Sequence, residues 1–436
     1  MSEVLERIVS EIPGPGTADL ASRLRLHESR NVTFLSEAFP VFWESAEGAT
    51  VTDVDGNRYI DCTAAFGVAN AGHCNPRVVD AIAQQARRLM HGMGDVHPAR
   101  IRVALFERLA QILPAGLERV FLATTGSEAI ETALKSAMLY TGKSRFAAYR
   151  GGYHGLSFGA LAVGGIGRFR MPFEAALGAP PLLLDFPSEG TTTAREAAEA
   201  ARRLAERDDI AAIVIEPIQG RGGVVVPPPG YLAALRSICD ERRIVMIVDE
   251  IFTGFGRTGR WFAVERDSVI PDILCIGKAM GSGVPISAAA GRAEIMDAWP
   301  LSTGEALHTS TYLGNPLACA AAIATIDELE RLELPARANR VGAQAAARLR
   351  RLCSHNNVVD VRGAGLLYGV QMRDAALAEA VVRSALQQGL ILLQSGCTGD
   401  VVAISPPLVI GEAQLARALD ILERTIAETE KEGATG

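Results

Sequence analysis

Three short motifs carry groups that could do chemistry. Thr124-Thr125-Gly126-Ser127-Glu128 follows an apolar run, Val120 to Ala123. It opens a helical pattern, Ser127 to Tyr140, in which Ala129, Ile130, Ala133, Leu134, Ala137 and Met138 share one face. Thr125 and Glu128 have capping-box spacing, which by itself marks only a helix start. That start also leaves backbone N–H groups beside a glycine, at the positive end of a helix dipole, and this suits a phosphate. Asp249-Glu250 ends a β-rich run, Ile244 to Val248. A strand-end aspartate is as readily a turn or cap residue, yet the carboxyl edge of a parallel sheet is where open α/β folds bind ligands. Lys278 sits just past the run Ile273 to Ile276, between Gly277 and Gly281. Taken singly it reads as a solvated loop lysine. A partly buried lysine, lowered from its usual pKa of about 10.4, can instead form a Schiff base. Together the three are the parts that hold pyridoxal 5′-phosphate (PLP). The lysine joins the aldehyde, the carboxylate pairs with the protonated pyridine nitrogen, and the helix start takes the phosphate.

One motif points elsewhere and fails. Gly254-Phe255-Gly256-Arg257-Thr258-Gly259 matches the dinucleotide fingerprint G-x-G-x-x-G, with Asp272 in range of the ribose acid. Five residues separate it from the strand core, and Arg260-Trp261-Phe262 is a poor start for a tightly packed helix.

The elements that must position these groups follow from the apolar pattern. From about residue 66 to 325, short apolar strands such as Ala211 to Ile215 alternate with helical stretches such as Gly230 to Arg242. That pattern predicts an α/β fold, a mostly parallel sheet flanked by helices. Residues 1–65 form an N-terminal segment that contributes to a smaller domain. Within it two alternating runs, Ala49 to Val54 and Asn57 to Asp61, are joined by an expected two-residue turn at Asp55-Gly56. Residues 326–436 change character. Amphipathic helices are expected over Leu334 to Leu352 and Ile410 to Lys431, with strands at Val358 to Val361, Leu366 to Met372 and Val401 to Ser405 and a tail from Glu432. This reads as a smaller α+β domain built from both chain ends.

Composition narrows the function classes. The 436 residues suggest about two to three domains. A net charge of −7 argues against a nucleic-acid footprint, and no stretch nears the ~18 apolar residues of a membrane helix. Residues 1–13 carry Glu3, Glu6, Arg7 and Glu11 and no apolar core of a signal peptide. Seven scattered cysteines with no C-x-x-C read as reduced thiols, so a cytoplasmic location is expected. The seven histidines show no H-E-x-x-H or H-x-H, so no metal site is expected. Glycine makes up 43 residues, more than the usual ~7%, which suggests close approaches of backbone to a ligand.

With these motifs in place, the chain resembles the class III (ornithine/ω-amino acid) aminotransferases of PLP fold type I over nearly its whole length. The resemblance rests on Asp53-x-Asp55-Gly56-x-x-Tyr59-Ile60-Asp61, Gly72-His73-x-x-Pro76, Thr125-Gly126-Ser127-Glu128-Ala129, Tyr153-His154-Gly155 and Glu216-Pro217-x-x-Gly220. It continues in Asp249-Glu250-x-x-x-Gly254 through Gly259, Lys278 placed 29 residues after Asp249, Thr311-Tyr312-x-Gly314-Asn315-Pro316 and Val361-Arg362-Gly363-x-Gly365-Leu366. It implies a PLP-dependent transaminase moving an amino group from an amine or ω-amino donor to a 2-oxo acid in a ping-pong cycle. Lys278 would be the Schiff-base lysine and proton carrier, and Asp249 the partner of the pyridine nitrogen. Gly126 and Ser127 would hold the phosphate, Tyr153 and Ile251 would cover the two ring faces, and Glu216 would line the cofactor and substrate side. Thr311 would reach the phosphate of the partner subunit, which implies a homodimer with shared sites. Arg362 would grip a substrate carboxylate with two parallel hydrogen bonds; an ordinary salt bridge is the competing reading. The same lysine and aspartate also serve aminomutases, racemases and decarboxylases, and a non-catalytic PLP-fold protein is a third possibility.

Departures from the family pattern bear on the substrate. Leu156 stands where 4-aminobutyrate-type members have an arginine, Arg221 where they and ornithine types have a glutamate, and Phe252 where they have a glutamine. Phe252, Leu156 and Phe66 point to an apolar site. Arg221 and Arg362 leave it cationic, which favours carboxylate-bearing oxo acids or an amine donor with a bulky apolar part.

Overall fold

The computed structural model describes residues 5–36 and 38–434. Seven strands form the central sheet: β1 (Arg119–Ala123), β2 (Arg145–Tyr149), β3 (Leu182–Leu184), β4 (Ile210–Ile215), β5 (Val245–Asp249), β6 (Ile273–Ile276) and β7 (Ser287–Gly291). Their order is β1-β7-β6-β5-β4-β2-β3, and only β7 runs against its neighbours.

Every residue of β4, β5 and β6 is buried, because both faces of the sheet are covered. Successive side chains point to opposite faces. Ala212, Val214, Val245, Ile247, Ile273 and Cys275 enter one apolar cluster, with Ala129, Ile130 and Ala133 of helix α1 (Gly126–Thr141). Their neighbours Ile213, Ile215, Met246, Val248, Leu274 and Ile276 enter the main cluster, with Leu232 and Leu235 of helix α2 (Tyr231–Arg242).

The chain ends build two smaller sheets. Strands Trp43–Glu47, Thr50–Asp53 and Arg58–Asp61 are completed by Leu390–Ile391, which pairs parallel with Ile60 and Asp61. Strands Val358–Ala364, Leu367–Met372, Leu393–Ser395 and Val401–Ile404 form the other. The expected two-residue turn at Asp55-Gly56 is a three-residue loop. The Asp53 amide donates to the Asn57 carbonyl at 2.9 Å, which leaves Val54, Asp55 and Gly56 between them. The Asp53 carboxylate fixes this loop by accepting from the amides of Asp55 and Asn57 and from the Tyr59 hydroxyl. The last helix runs over Glu412–Ala434, so most of the expected tail is helical; residues 435–436 and Glu3 lie outside the described residues.

The G-x-G-x-x-G segment is a junction. Arg257 is fully buried and donates to the carbonyls of Leu366 (2.9 Å) and Pro406 (2.6 Å) and to Asn70 Oδ1. A side chain at Gly259 would come within 2.9 Å of Asn339. The glycines therefore let the central layer approach the C-terminal elements. Among the described residues no helix is long and apolar enough to cross a membrane, and no group of His, Cys, Asp or Glu could hold a metal ion.

Candidate active site

Because the strands around β5 run the same way, the residues that follow them emerge at one sheet edge. There they line a cavity of about 600 Å³. β1 delivers Thr124, Gly126 and Ser127; β2 delivers Tyr153 and His154; Glu216 follows β4, Asp249 ends β5, and Lys278 follows β6.

The phosphate end is built by the start of α1. The capping box forms, with Glu128 N–H on Thr125 Oγ1 at 3.3 Å. The Glu128 carboxylate accepts from the amides of Thr124 (2.7 Å) and Thr125 (3.1 Å). The amides of Gly126 and Ser127 stay outside this box, at the positive end of the helix dipole. Space there is reserved for backbone. A side chain at Gly126 would lie 2.8 Å from Ile251 Cδ1, and one at Gly155 would overlap Ser127 Oγ.

Asp249 is buried, and each carboxylate oxygen has a partner. Oδ2 faces His154 Nδ1 at 2.8 Å and Oδ1 accepts from the Ile251 amide at 3.0 Å. Burial disfavours a charged His154, but its hydrogen bond to Asp249 and the charges of Asp249 and Glu216 carry its pKa above the usual histidine value. Its Nε2 is buried with no partner among the described residues. Glu216 accepts from the amides of Tyr153 (3.0 Å) and Gly220 (3.1 Å). Burial pushes its pKa up to about 7, opposed by His154 and helped by Asp249.

Lys278 lies in the left-handed region at φ +45°, a conformation that costs a non-glycine residue about 1–2 kcal/mol and so marks a position held by its surroundings. Desolvation lowers its pKa, and the negative charges of Asp249 and Glu216 work the other way. Nζ sits 4.4 Å from the centre of the Phe252 ring. That ring is held in a slot between two glycines. A side chain at Gly67 would come within 2.5 Å of Phe252 Cε2, and one at Gly220 would overlap Cδ1.

Phe66 belongs to a run of four positive φ angles, Ala64 to Gly67. The Asp61 carboxylate, by accepting from the amide and hydroxyl of Thr63, and Thr63, by accepting from the Ala65 amide, hold this run. It projects a large, 67% exposed ring at the cavity wall.

Of the residues singled out from sequence, the structure gathers Lys278, Asp249, Glu216, Gly126, Ser127, Tyr153, Ile251, Phe252, Phe66 and Arg221 around the cavity. Thr311, Leu156 and Arg362 are not part of its lining. Thr311 is exposed. Leu156 is 51% exposed and its amide donates to Ser127 Oγ at 3.3 Å. Arg362 belongs to strand Val358–Ala364, where Asp360, Gln371 and the Gly223 carbonyl take up its guanidinium. Sequence reasoning did not single out Phe169, Ser395 or Ser405 as lining residues, nor His154 as the partner of Asp249. The last two serines come from the C-terminal elements, and nothing local in the sequence marks them.

Comparison with known proteins decides the family. A family model described as "Aminotransferase class-III" matches residues 34–426. The chain belongs to the class III aminotransferases. It is 40% identical to acetylornithine aminotransferase of Methanosarcina mazei, over 88% of this chain and 91% of that relative. It is 37% identical to 4-aminobutyrate aminotransferase of Mycobacterium leprae, over 98% and 99%. The solved ornithine aminotransferase of Toxoplasma gondii superimposes with a TM-score of 0.85 at 32% identity, covering 95% of this chain and 96% of that one. The class III assignment makes the protein a PLP-dependent transaminase with the fold type I architecture, a large α/β layer and a smaller α+β part formed by both chain ends. The site fits the cofactor: a glycine-walled cradle at a helix start, a buried carboxylate and a lysine of lowered pKa share one cavity.

Proposed function

We propose that this transaminase takes an amine donor with an apolar body and passes the amino group to a 2-oxo acid. The convergence of Lys278, Asp249 and the Gly126–Ser127 amides on one cavity carries the reading. Bound there, PLP supplies an aldehyde for the amine and an electron-withdrawing ring. Gly126 and Ser127 would hold the phosphate, Asp249 would keep the pyridine nitrogen protonated, and His154 would orient Asp249. Tyr153 and Ile251 would cover the ring, and Glu216 would border the substrate side. Lys278 would anchor the cofactor and, through Nζ, carry the proton of the transfer; its lowered pKa favours the neutral amine this needs. Phe66, Phe169 and Phe252 give the donor an apolar wall.

The test is a panel of ω-amino acids, polyamines and aryl amines against pyruvate and 2-oxoglutarate, read by the cofactor's absorbance in each half-reaction. Donors with an apolar body should react faster than 4-aminobutyrate or ornithine. Turnover of a single substrate with no acceptor would favour the mutase, racemase or decarboxylase reading.

The working unit is a homodimer in which Thr311 serves the partner's phosphate site. Thr311 is exposed, and beside it Tyr312 (62% exposed) meets His91 at 5.4 Å between ring centres, close to the exposed Met90 and Met93. An apolar patch of this kind suits a subunit contact. Residues 66–325 serve as the cofactor domain, with 1–65 and 326–436 as the smaller part. Seven free thiols, three of them exposed, suit the reducing cytoplasm.

A further inference from the structure

Thr311 stands on a short bridge of chain with a post on each side. Downstream, Leu313 and Gly314 are buried. Asn315 caps the helix Pro316–Arg331, and its Nδ2 donates to the Met90 carbonyl at 3.2 Å. Upstream, residues 301–307 are all exposed, and His308 is where the chain packs again. Its ring stacks on Trp299, at 6.0 Å between centres and 20° between planes, and lies 5.4 Å from the Phe121 ring of β1. Trp299 is itself held, because its Nε1 donates to Ser136 Oγ of α1 at 2.8 Å.

The polar contacts fix the same ring. His308 Nδ1 lies 3.2 Å from Lys135 Nζ. An ammonium only donates, so Nδ1 is the acceptor and the ring is neutral. Lys135 is placed in turn by Glu131, 3.9 Å away and one turn back on α1. The Glu131 carboxylate also accepts from Ser157 Oγ at 3.1 Å and the Gly159 amide at 2.9 Å. Burial, and then the charge of Lys135, lower the pKa of His308, against the pull of Glu131 and Glu128. Protonation takes away the acceptor and sets two cations side by side. Thr309, next in the chain, is exposed and reaches Asp95 Oδ2 only at 3.5 Å. His308 is therefore the main upstream post.

We propose that His308 is a positioning residue that docks the segment carrying Thr311 on Trp299, Phe121 and Lys135, and so holds Thr311 in place for the partner's phosphate. This rests on the reading that Thr311 serves the partner's site in a homodimer. Helix α1 then has a part in both sites of the pair. Its first turn takes the phosphate of its own subunit, and its Lys135 holds the loop that serves the other. The dock is tightest with a neutral ring and loosens as pH falls through the His308 pKa.

The measurement is the rate at which PLP-loaded enzyme loses cofactor on dilution, read by absorbance. Thr311→Val removes a hydroxyl donor to a charged group and should speed the loss about tenfold. His308→Ala should speed it about threefold or more. Because His308 acts through Thr311, the double variant should stay within about twofold of Thr311→Val alone. The parent should lose cofactor faster as pH drops from about 8 to about 5, the range in which histidine titrates. His308→Asn keeps an acceptor near the Nδ1 position and cannot titrate. It should hold cofactor better than His308→Ala and show a smaller rise on the acid side than the parent. Trp299 emission, taken as the difference between each protein and its Trp299→Phe counterpart, reads the dock independently of Thr311. It should shift to the red in His308→Ala, where water reaches the indole face. A parent-like rate in His308→Ala while Thr311→Val speeds the loss, effects that multiply in the double variant, or an acid-side rise unchanged in His308→Asn would overturn the proposal. A red-shifted Trp299 in His308→Ala with a parent-like rate in Thr311→Val would sink the shared-site reading and leave the dock standing.

Discussion

The Phe252 slot can be tested by adding one methyl group. Gly220 has no positive φ among the described glycines, so Gly220→Ala carries no backbone penalty of the left-handed kind. Its cost is steric. The new Cβ would overlap Phe252 Cδ1 and lie 3.0 Å from Cε1 and 3.3 Å from Cγ. The ring cannot retreat, because the Gly67 backbone closes the other side, where a Cβ would meet Cε2 at 2.5 Å and Cδ2 at 2.7 Å. Overpacking of this kind costs about 1–3 kcal/mol. For a chain of 436 residues each kcal/mol is about 1 °C in Tm, so Gly220→Ala should melt ~1–3 °C lower. Phe252→Ala also destabilises by itself, since it removes a half-buried ring from its slot. Adding Gly220→Ala to Phe252→Ala should then cost almost nothing further, which gives a coupling of about 1–3 kcal/mol in the double-mutant cycle. Thermal melts of the four proteins measure it. Additive losses, or a Gly220→Ala protein as stable as its parent, would show that Phe252 is not confined by these two backbones.

Lys278→Ala should abolish covalent attachment of PLP and transamination while the protein stays folded; cofactor fixed permanently to this variant by borohydride reduction would contradict the assignment. If the protein pairs as proposed and Thr311 serves the partner's site, mixing Lys278→Ala chains with Thr311→Glu chains should restore activity to about a quarter of the parent, because random pairing would make half the dimers hybrid, each with one intact site; no recovery on mixing would place Thr311 in its own subunit's site, and full activity of Thr311→Glu alone would place it outside the chemistry. Glu216 binds its proton more tightly in the folded chain than in the unfolded one, so its contribution to stability is full at acid pH and is lost as pH rises to about 7. Glu216→Gln cannot titrate, so its Tm relative to the parent should climb between pH 5 and pH 7 and level off above; a constant difference across the range would refute the burial argument.

Much of the site was legible because each part leaves a local mark. A capping box opens a helix, a carboxylate ends one apolar run and a lysine follows another, and parallel strands deliver what lies beyond their ends to one edge. The strands themselves were legible because β4, β5 and β6 bury every residue and so read as unbroken apolar runs. Less legible were boundaries and turns. The loop at Val54 to Gly56 is set by where the Asp53 carboxylate finds donors, and residue spacing does not reveal that.

The residues by themselves pointed to the cofactor, since PLP chemistry needs a few residue types at strand and helix ends, and those ends follow from local apolar periodicity; the transaminase class came from the resemblance of the ordered motifs to the class III family. Only the tertiary structure decided how the substrate side is arranged. Arg221 and Arg362 look equivalent in sequence, as two cations assigned to one site. In the fold Arg221 lines the cavity and bonds to the Gln394 carbonyl, while Arg362 bonds to Gly223, Asp360 and Gln371, and these partners lie as far as 173 positions away in the chain. Which groups the N–H donors of a guanidinium meet is decided by contacts distant in sequence, which local apolar periodicity does not show.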